Sequence, residues 1–236
     1  MAFQPIVDLD AGKVWGYEAL VRGPSSETAA SVLAQVTEEN RYQFDQTCRV
    51  RAIETAGRLF DDDSLKLSIN FMPNAIYDPA TCMRTSLAAA KRVGLSQSRL
   101  MFEFTEHEVV ADIAHLTRIV DSYRHLGCTT ALDDFGAGYA GLTLLAALAP
   151  DLLKLDMVLV RNIDTDARRR IIVSGICAMA RGLGIQLLAE GVETEAEART
   201  LRDMGISLMQ GHLFARAEVQ SLPSVVLTWP ASVAVA

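Results

Sequence analysis

The sequence is poor in most features that would tie it to a membrane, a disulfide scaffold or a nucleic acid. Its 236 residues include only four cysteines, Cys48, Cys82, Cys128 and Cys177, far apart and with no C-x-x-C pair. That spacing argues against a disulfide framework and reads as isolated buried thiols in a reducing compartment. Histidine is equally scarce, and His107, His115, His125 and His212 show no metal-ligand spacing, which disfavours zinc. No apolar run approaches the ~20 residues that span a bilayer, and "MAFQPIVDLD" has neither a basic n-region nor a cleavage-site pattern. Lys and Arg number 22 against 29 Asp and Glu, a net charge of −7. General binding to polymeric nucleic acid or to an anionic membrane surface is thereby disfavoured. A small anionic substrate remains open, because a bound metal reverses the local field. The expectation is a soluble cytoplasmic domain.

What is present is a repeating alternation. "QPIVDL" and "KVWGYEALV" read as strands joined by the turn "DAG", an antiparallel hairpin. The stretch from "SSETAAS" to "ETAGRLF" reads as helical, with Phe44, Cys48, Ala52 and Ala56 at four-residue spacing. Then come "LKLSINF", a helix closing on Gly94, "LMFEFTE", and a helix with Ile113, Leu116, Val120 and Tyr123 on one face, capped by Gly127. "TTALDDF", "DLLKLD", "IQLLAEG" and "SLMQGHLF" continue the series, separated by helical stretches. Repeated strand–helix units demand parallel strands with right-handed crossovers. The expected fold is therefore a TIM-like eight-stranded α/β barrel, with the opening hairpin making one strand antiparallel to the rest. An open doubly wound sheet is the alternative. One domain covers residues 1–236, the barrel over about 3–217 and an apolar tail, unassigned, over 218–236.

Strand alternation separates an apolar from a polar set. Ser68 and Asn70 oppose Leu67 and Ile69, Glu103 and Thr105 oppose Phe102 and Phe104, and Lys154 opposes Leu153 and Leu155. The apolar set must meet the helices, so the polar set points into the barrel. Its members, Glu18, Asn70, Glu103, Asp133, Lys154, Glu190 and Gln210, fall late in their strands, where barrels of this kind carry their active sites. Glu18, Asn70, Glu103 and the adjacent Asp133 and Asp134 make an all-oxygen, carboxylate-rich group that requires counter-charge. Hard divalent cations suit it, and adjacent aspartates let one carboxylate bridge two ions. Taken singly, each residue has a plainer reading. Lys154 pairs with Asp156, Asn70 caps the turn into "MPNAIYDP", Arg168–Arg170 form a solvated helix start, and His115 and His125 are surface or packing residues of a helix. The plainer readings fail together, because all the polar strand residues end at one rim.

The segments "YEALVR", "SINF", "FEFTE", "LDDFGAGY", "LLKLD", "LAEGVET" and "MQGHLF", in this order, resemble the motif set of EAL-domain cyclic-di-GMP phosphodiesterases over nearly the whole chain. The resemblance implies metal-dependent hydrolysis of cyclic di-GMP to linear 5'-pGpG, with two Mg²⁺ or Mn²⁺ ions per site. Ca²⁺ is expected to be inhibitory. Glu18, Asn70, Glu103 and Asp133 look like ligands of the first ion, and Asp133 with Asp134 those of the second. Glu190, Lys154 and Glu18 form the implied catalytic group, Lys154 touching the metal-bound water and Glu190 either helping to bind the metal–water cluster or acting as base. Arg22, Gln210 and Asp156 are placed with substrate, and Glu106 and Glu193 look like supporting acids. A homodimer and a sensory or regulatory domain elsewhere are implied as partners, in a bacterial cytoplasm.

Some positions depart from the family pattern. The loop, often DDFGTGYSSL, here has Ala137, Ala140 and Gly141 in place of hydroxyl residues, and His212 replaces the usual aromatic after "QG". The proline usually found soon after "LF" is missing. A binding module that holds the dinucleotide without cutting it is the alternative function. Degenerate members lose metal ligands or the catalytic glutamate, and this chain keeps both.

Overall fold

The computed structural model describes residues 1–76, 78–105, 112–138, 141–225 and 227. In chain order the elements are β1 (Ala2–Asp8), β2 (Lys13–Leu20), α1 (Ala29–Leu33), α2 (Arg41–Leu59), β3 (Lys66–Asn70), α3 (Pro79–Arg92), β4 (Leu100–Thr105) and α4 (Ile113–His125). There follow β5 (Thr129–Phe135), α5 (Gly141–Leu148), β6 (Leu152–Leu155), α6 (Met157–Val160), α7 (Ala167–Leu183), β7 (Gln186–Ala189), α8 (Glu195–Asp203), β8 (Leu208–Gln210) and β9 (Glu218–Val219).

The hairpin forms because the Asp8 carboxylate accepts from the N–H groups of Asp10 and Ala11, a side-chain turn at the predicted place. From β2 to β8 the strands pair parallel in sequence order. β1 then closes the ring, antiparallel to both β8 and β2. Closure decides for the barrel over the open sheet, whose edges it removes. Helix ends obey local chemistry. Asp112 caps α4, Asp166 caps α7, and Thr194 with Glu197 builds a capping box on α8.

Two layers make the core. The outward strand residues, among them Leu67, Ile69, Phe71, Phe102, Phe104, Leu153 and Leu155, pack against the helices. Inside the barrel, Ile6, Met101, Ala131, Leu152, Leu188 and Leu208 form a separate apolar plug, each buried side chain larger than Ala131 contributing about 1.5–3 kcal/mol. Two residues further along the strands, on the same inward face, the chain turns polar: Glu103, Asp133, Lys154, Glu190 and Gln210. The apolar plug is thus the floor of a polar mouth. Cys82, Cys128 and Cys177 are buried and Cys48 is half-buried, all as free thiols.

Three expectations are corrected, and the start of the unassigned tail is placed. The stretch 29–59 is two helices, not one, because Asn40 accepts from Thr37 N–H and donates to the Gln35 carbonyl, a local turn that competes with helix. Ile113 is exposed, since it opens α4 immediately after its cap. The first tail residues pair with β1 as β9. Arg169 and Arg170 are not merely solvated: both turn back to donate to carbonyls of the 161–164 loop. No helix among the described residues is long and apolar enough to cross a membrane.

Candidate metal and catalytic centre

Lys154 rises from β6 into the mouth and is fully buried. Its Nζ lies 3.0 Å from Glu103, 3.0 Å from Asp133, 2.9 Å from Glu190 and 4.0 Å from Glu18. Those carboxylates come from β4, β5, the end of β7 and β2, so one ammonium gathers acids from four strands. Asp156 is not its partner. That carboxylate caps α6, accepting from Val158 N–H at 2.7 Å.

The acids are held from behind by neutral donors. Asn70 Nδ2 donates to Glu18 and to Glu103, both at 2.9 Å. Ser68 donates to Glu103 at 2.5 Å, and Gln210 to Glu18 at 2.7 Å and to Gln4 at 3.2 Å. Ser68 shares the face of Asn70 and was legible there by alternation. Gln4 was missed, although β1 is antiparallel and the inward position two residues before Ile6 is the equivalent signal.

The adjacent aspartates break the alternation. Asp134 has φ +56°, a left-handed conformation that Asp tolerates better than most residues. Its N–H donates to Asp133 Oδ1 at 2.9 Å, and its Oδ2 accepts from Thr105 at 2.9 Å. Both carboxylates therefore face the same mouth instead of opposite sides of the strand.

Burial, and then crowding by like charges, push Glu103 and Glu190 well above the usual carboxylate range. Burial also raises Asp133, despite Lys154. At Glu18 the same burial is outweighed by Lys154 and by hydrogen bonds from Glu103, Gln210 and Asn70, leaving its carboxyl lowered. Burial alone would depress Lys154, but Asp133, Glu103, Glu18 and Glu190 together hold it well above the ordinary lysine range.

The donor set fits a hard divalent cation. Glu18, Glu103 and Asp133 offer oxygens within 4.8 Å of one another, and so do Asp133, Asp134 and Glu190. Lys154 faces four of these five carboxylates, so the site is short of positive charge, and every donor is oxygen.

Two openings flank the group. A cleft of about 190 Å³ is lined by Glu18, Glu190, Gln210, Arg161, Glu193 and His212. Its wall depends on Gly191 and Gly211, where a Cβ would strike Met157 and the Val192 carbonyl. Glu193 is paired with Arg161 at 2.8 Å and lies 4.0 Å from His212. On the other side an apolar groove of about 310 Å³ runs from Glu18 and Asn70 past Phe44 and Cys48. It shares Met1, Val21, Phe44 and Cys48 with a wider cleft that holds Arg22 and Arg51. Arg22 is therefore placed along the groove and not among the carboxylates; its Nη1 donates to the Val21 carbonyl at 2.7 Å. Glu106 and His107 lie outside the described residues.

The pattern of the EAL domain matches residues 1–217. The chain belongs to the EAL domain family. A standalone versatile EAL protein from Vibrio cholerae O395, solved with c-di-GMP bound, is 52% identical with a TM-score of 0.92, over 96% of this chain and 94% of that one. Klebsiella pneumoniae BlrP1, in a manganese/cy-diGMP complex at pH 6, is 33% identical with a TM-score of 0.88, over 95% and 57%. Cyclic di-GMP phosphodiesterase RocR of Pseudomonas aeruginosa is 31% identical, over 91% of this chain and 56% of its own length. Blue light- and temperature-regulated antirepressor BluF of Escherichia coli is also 31% identical, over 97% and 56%. The chain spans about half the length of these curated relatives.

In this EAL domain the altered loop is still tied down at its start, where Ala137 N–H donates to the Asp134 carbonyl at 3.1 Å. Ala140 lies outside the described residues, and Gly141 opens α5. His212 stands on the cleft wall beside Glu193.

Proposed function

We propose that the chain hydrolyses cyclic di-GMP to linear 5'-pGpG, using two Mg²⁺ or Mn²⁺ ions. The observation that carries this reading is Asp133, shared by the Glu18–Glu103–Asp133 and Asp133–Asp134–Glu190 oxygen groups. Relatives named cyclic di-GMP phosphodiesterases support the reaction class, and the BlrP1 manganese complex supports the kind of ion.

In this reading Glu18, Asn70, Glu103 and Asp133 would hold one ion, and Asp133 and Asp134 the second. When bound, the ions supply a nucleophile near neutral pH and offset charge growing on the phosphate oxygens. Lys154 and Glu190, 2.9 Å apart, orient the attacking water, and Glu190 takes its proton. The water oxygen bonds to phosphorus, the P–O3′ bond breaks, and the sugar oxygen takes a proton from solvent to leave as a hydroxyl, while the proton held by Glu190 returns to solvent. Arg22, along the groove, offers paired donors to a phosphate. Gln210 fixes Glu18, and Glu193 and Glu106 support the surrounding loops. Asp156, whose Oδ1 caps α6, is left to touch substrate with its other oxygen. Homodimerisation, a bacterial cytoplasmic location and control by a sensory domain outside these residues belong to the same reading.

A second reading is a receptor that holds the dinucleotide uncut and signals through a partner. One relative's being named an antirepressor favours it. Incubation with cyclic di-GMP and Mg²⁺, followed by chromatography, separates the two. Linear product from the wild type, absent with Glu18→Ala, supports the hydrolase. Tight binding without product supports the receptor.

A further inference from the structure

We propose that Arg49, on α2, is a positioning residue for Asn70 and Glu103. The proposal rests on the metal reading given above. Arg49 is 0% exposed and lies behind the two strands that carry those side chains, on the face opposite the mouth. Its guanidinium pairs with Asp45 one turn earlier and donates to the Tyr123 hydroxyl of α4 at 2.8 Å. It lies 5.4 Å from the centre of the Phe71 ring and 5.8 Å from that of Phe102. Asp45 accepts from Met72 N–H at 2.9 Å. The rings continue the contact, Phe71 against Phe104 at 5.6 Å and Phe102 against Tyr123 at 5.0 Å.

Every strand residue gripped here neighbours a candidate ligand. Phe71 follows Asn70, and Phe102 and Phe104 flank Glu103. Side chains on consecutive strand residues point to opposite faces, so fixing the outward ring fixes the twist of the strand and the aim of the inward donor. Phe71 N–H also donates to the Glu103 carbonyl at 2.9 Å, which locks the two ligand-bearing strand ends together. A buried ion pair is a poor way to gain stability, because apolar side chains of the same volume usually do as well or better. A planar cation does what they cannot: it stacks on two rings while its ends hold a carboxylate and a phenol on two different helices.

The test is Mn²⁺ binding without substrate, followed by electron paramagnetic resonance, on wild type, Arg49→Met and Tyr123→Phe. Melting temperatures are measured alongside. The expected result for Arg49→Met is Mn²⁺ affinity weakened about tenfold or more, the scale seen when residues supporting metal ligands are removed. At saturating Mn²⁺, kcat should fall while KM for cyclic di-GMP stays within about twofold. Tyr123→Phe keeps the charge paired with Asp45 and should weaken affinity by a smaller factor. Lower melting temperatures with wild-type Mn²⁺ affinity in both variants would overturn the proposal, leaving Arg49 a packing residue. Should Arg49→Met fail to fold, unchanged affinity in Tyr123→Phe overturns it alone. A wild type that binds no Mn²⁺ overturns the metal reading itself, an outcome distinct from loss confined to the variants.

Discussion

Lys154 and Glu103 face each other at 3.0 Å across the barrel, and neither side chain has any contact with solvent. The same ammonium faces Asp133 and Glu190, so it is the cation that lets the acids share one mouth. Lys154→Met removes that cation and leaves the carboxylates buried together. Breaking a buried pair from one side costs about 3–5 kcal/mol, or a drop in melting temperature on the order of 10 °C for a chain of this size. Calorimetry in the presence of a chelator reads it. An unchanged melting temperature would mean that the acids need no internal cation.

Asp134 lends itself to a cleaner test, because Asn also tolerates a left-handed backbone and keeps an oxygen for Thr105. Asp134→Asn should therefore fold like the wild type and lose the charge that completes the second oxygen group. The expected outcome is Mn²⁺ stoichiometry falling from two per chain to one, with hydrolysis lost. Retention of two bound ions would contradict the assignment of Asp134.

These two residues also mark the limit of what the sequence discloses. Period-two alternation is enough to place Asn70, Glu103, Asp133 and Lys154 on one inward face, because each strand buries its other face against helices. The same rule sends Asp134 to the wrong side, and only its backbone at φ +56° brings it back. Lys154 shows another limit. Asp156 is close in sequence, yet Lys154 takes its partners from four other strands, a pairing that barrel closure creates. Arg22 and Arg161 line clefts formed by segments remote in sequence, which no local pattern contains.

Glu197 predicts a pH dependence. Its carboxylate accepts from the backbone of Asn162, Glu193 and Thr194 at 2.8, 2.9 and 3.1 Å, tying the loop after α6 to the loop that carries Glu193. Burial alone would raise its carboxyl, but those backbone donors outweigh burial and hold it below the usual glutamate range. A depressed acid stabilises the fold above its unfolded pKa and loses that contribution as pH falls through the folded value. Glu197→Ala should cost about 3 kcal/mol at pH 7 by orphaning these donors. The gap from wild type should be smaller at an acid pH below the ordinary glutamate value of about 4.3, as pH falls through the depressed folded value. Denaturant titrations at the two pH values measure it, and a gap that widened in acid would reverse the sign argued here.

Calcium should separate holding the substrate from cutting it. Ca²⁺ takes six to eight oxygens at about 2.3–2.6 Å, whereas Mg²⁺ needs near-octahedral geometry at about 2.0–2.1 Å. The oxygens of Glu18, Glu103 and Asp133 are fixed by Asn70, Ser68 and Lys154, so the cage does not expand freely for the larger ion. Ca²⁺ should still neutralise the acids, and BlrP1 has been solved as a calcium/cy-diGMP complex. The attacking water, however, would stand too far from phosphorus and from Glu190. With Ca²⁺ as the sole divalent ion, calorimetry should record cyclic di-GMP binding while chromatography detects no linear product. Adding excess Mg²⁺ should restore cleavage. Turnover in Ca²⁺ at the Mg²⁺ rate would show that the carboxylate cage adapts to the larger ion, and that the spacing around Asp133 does not set the reaction geometry.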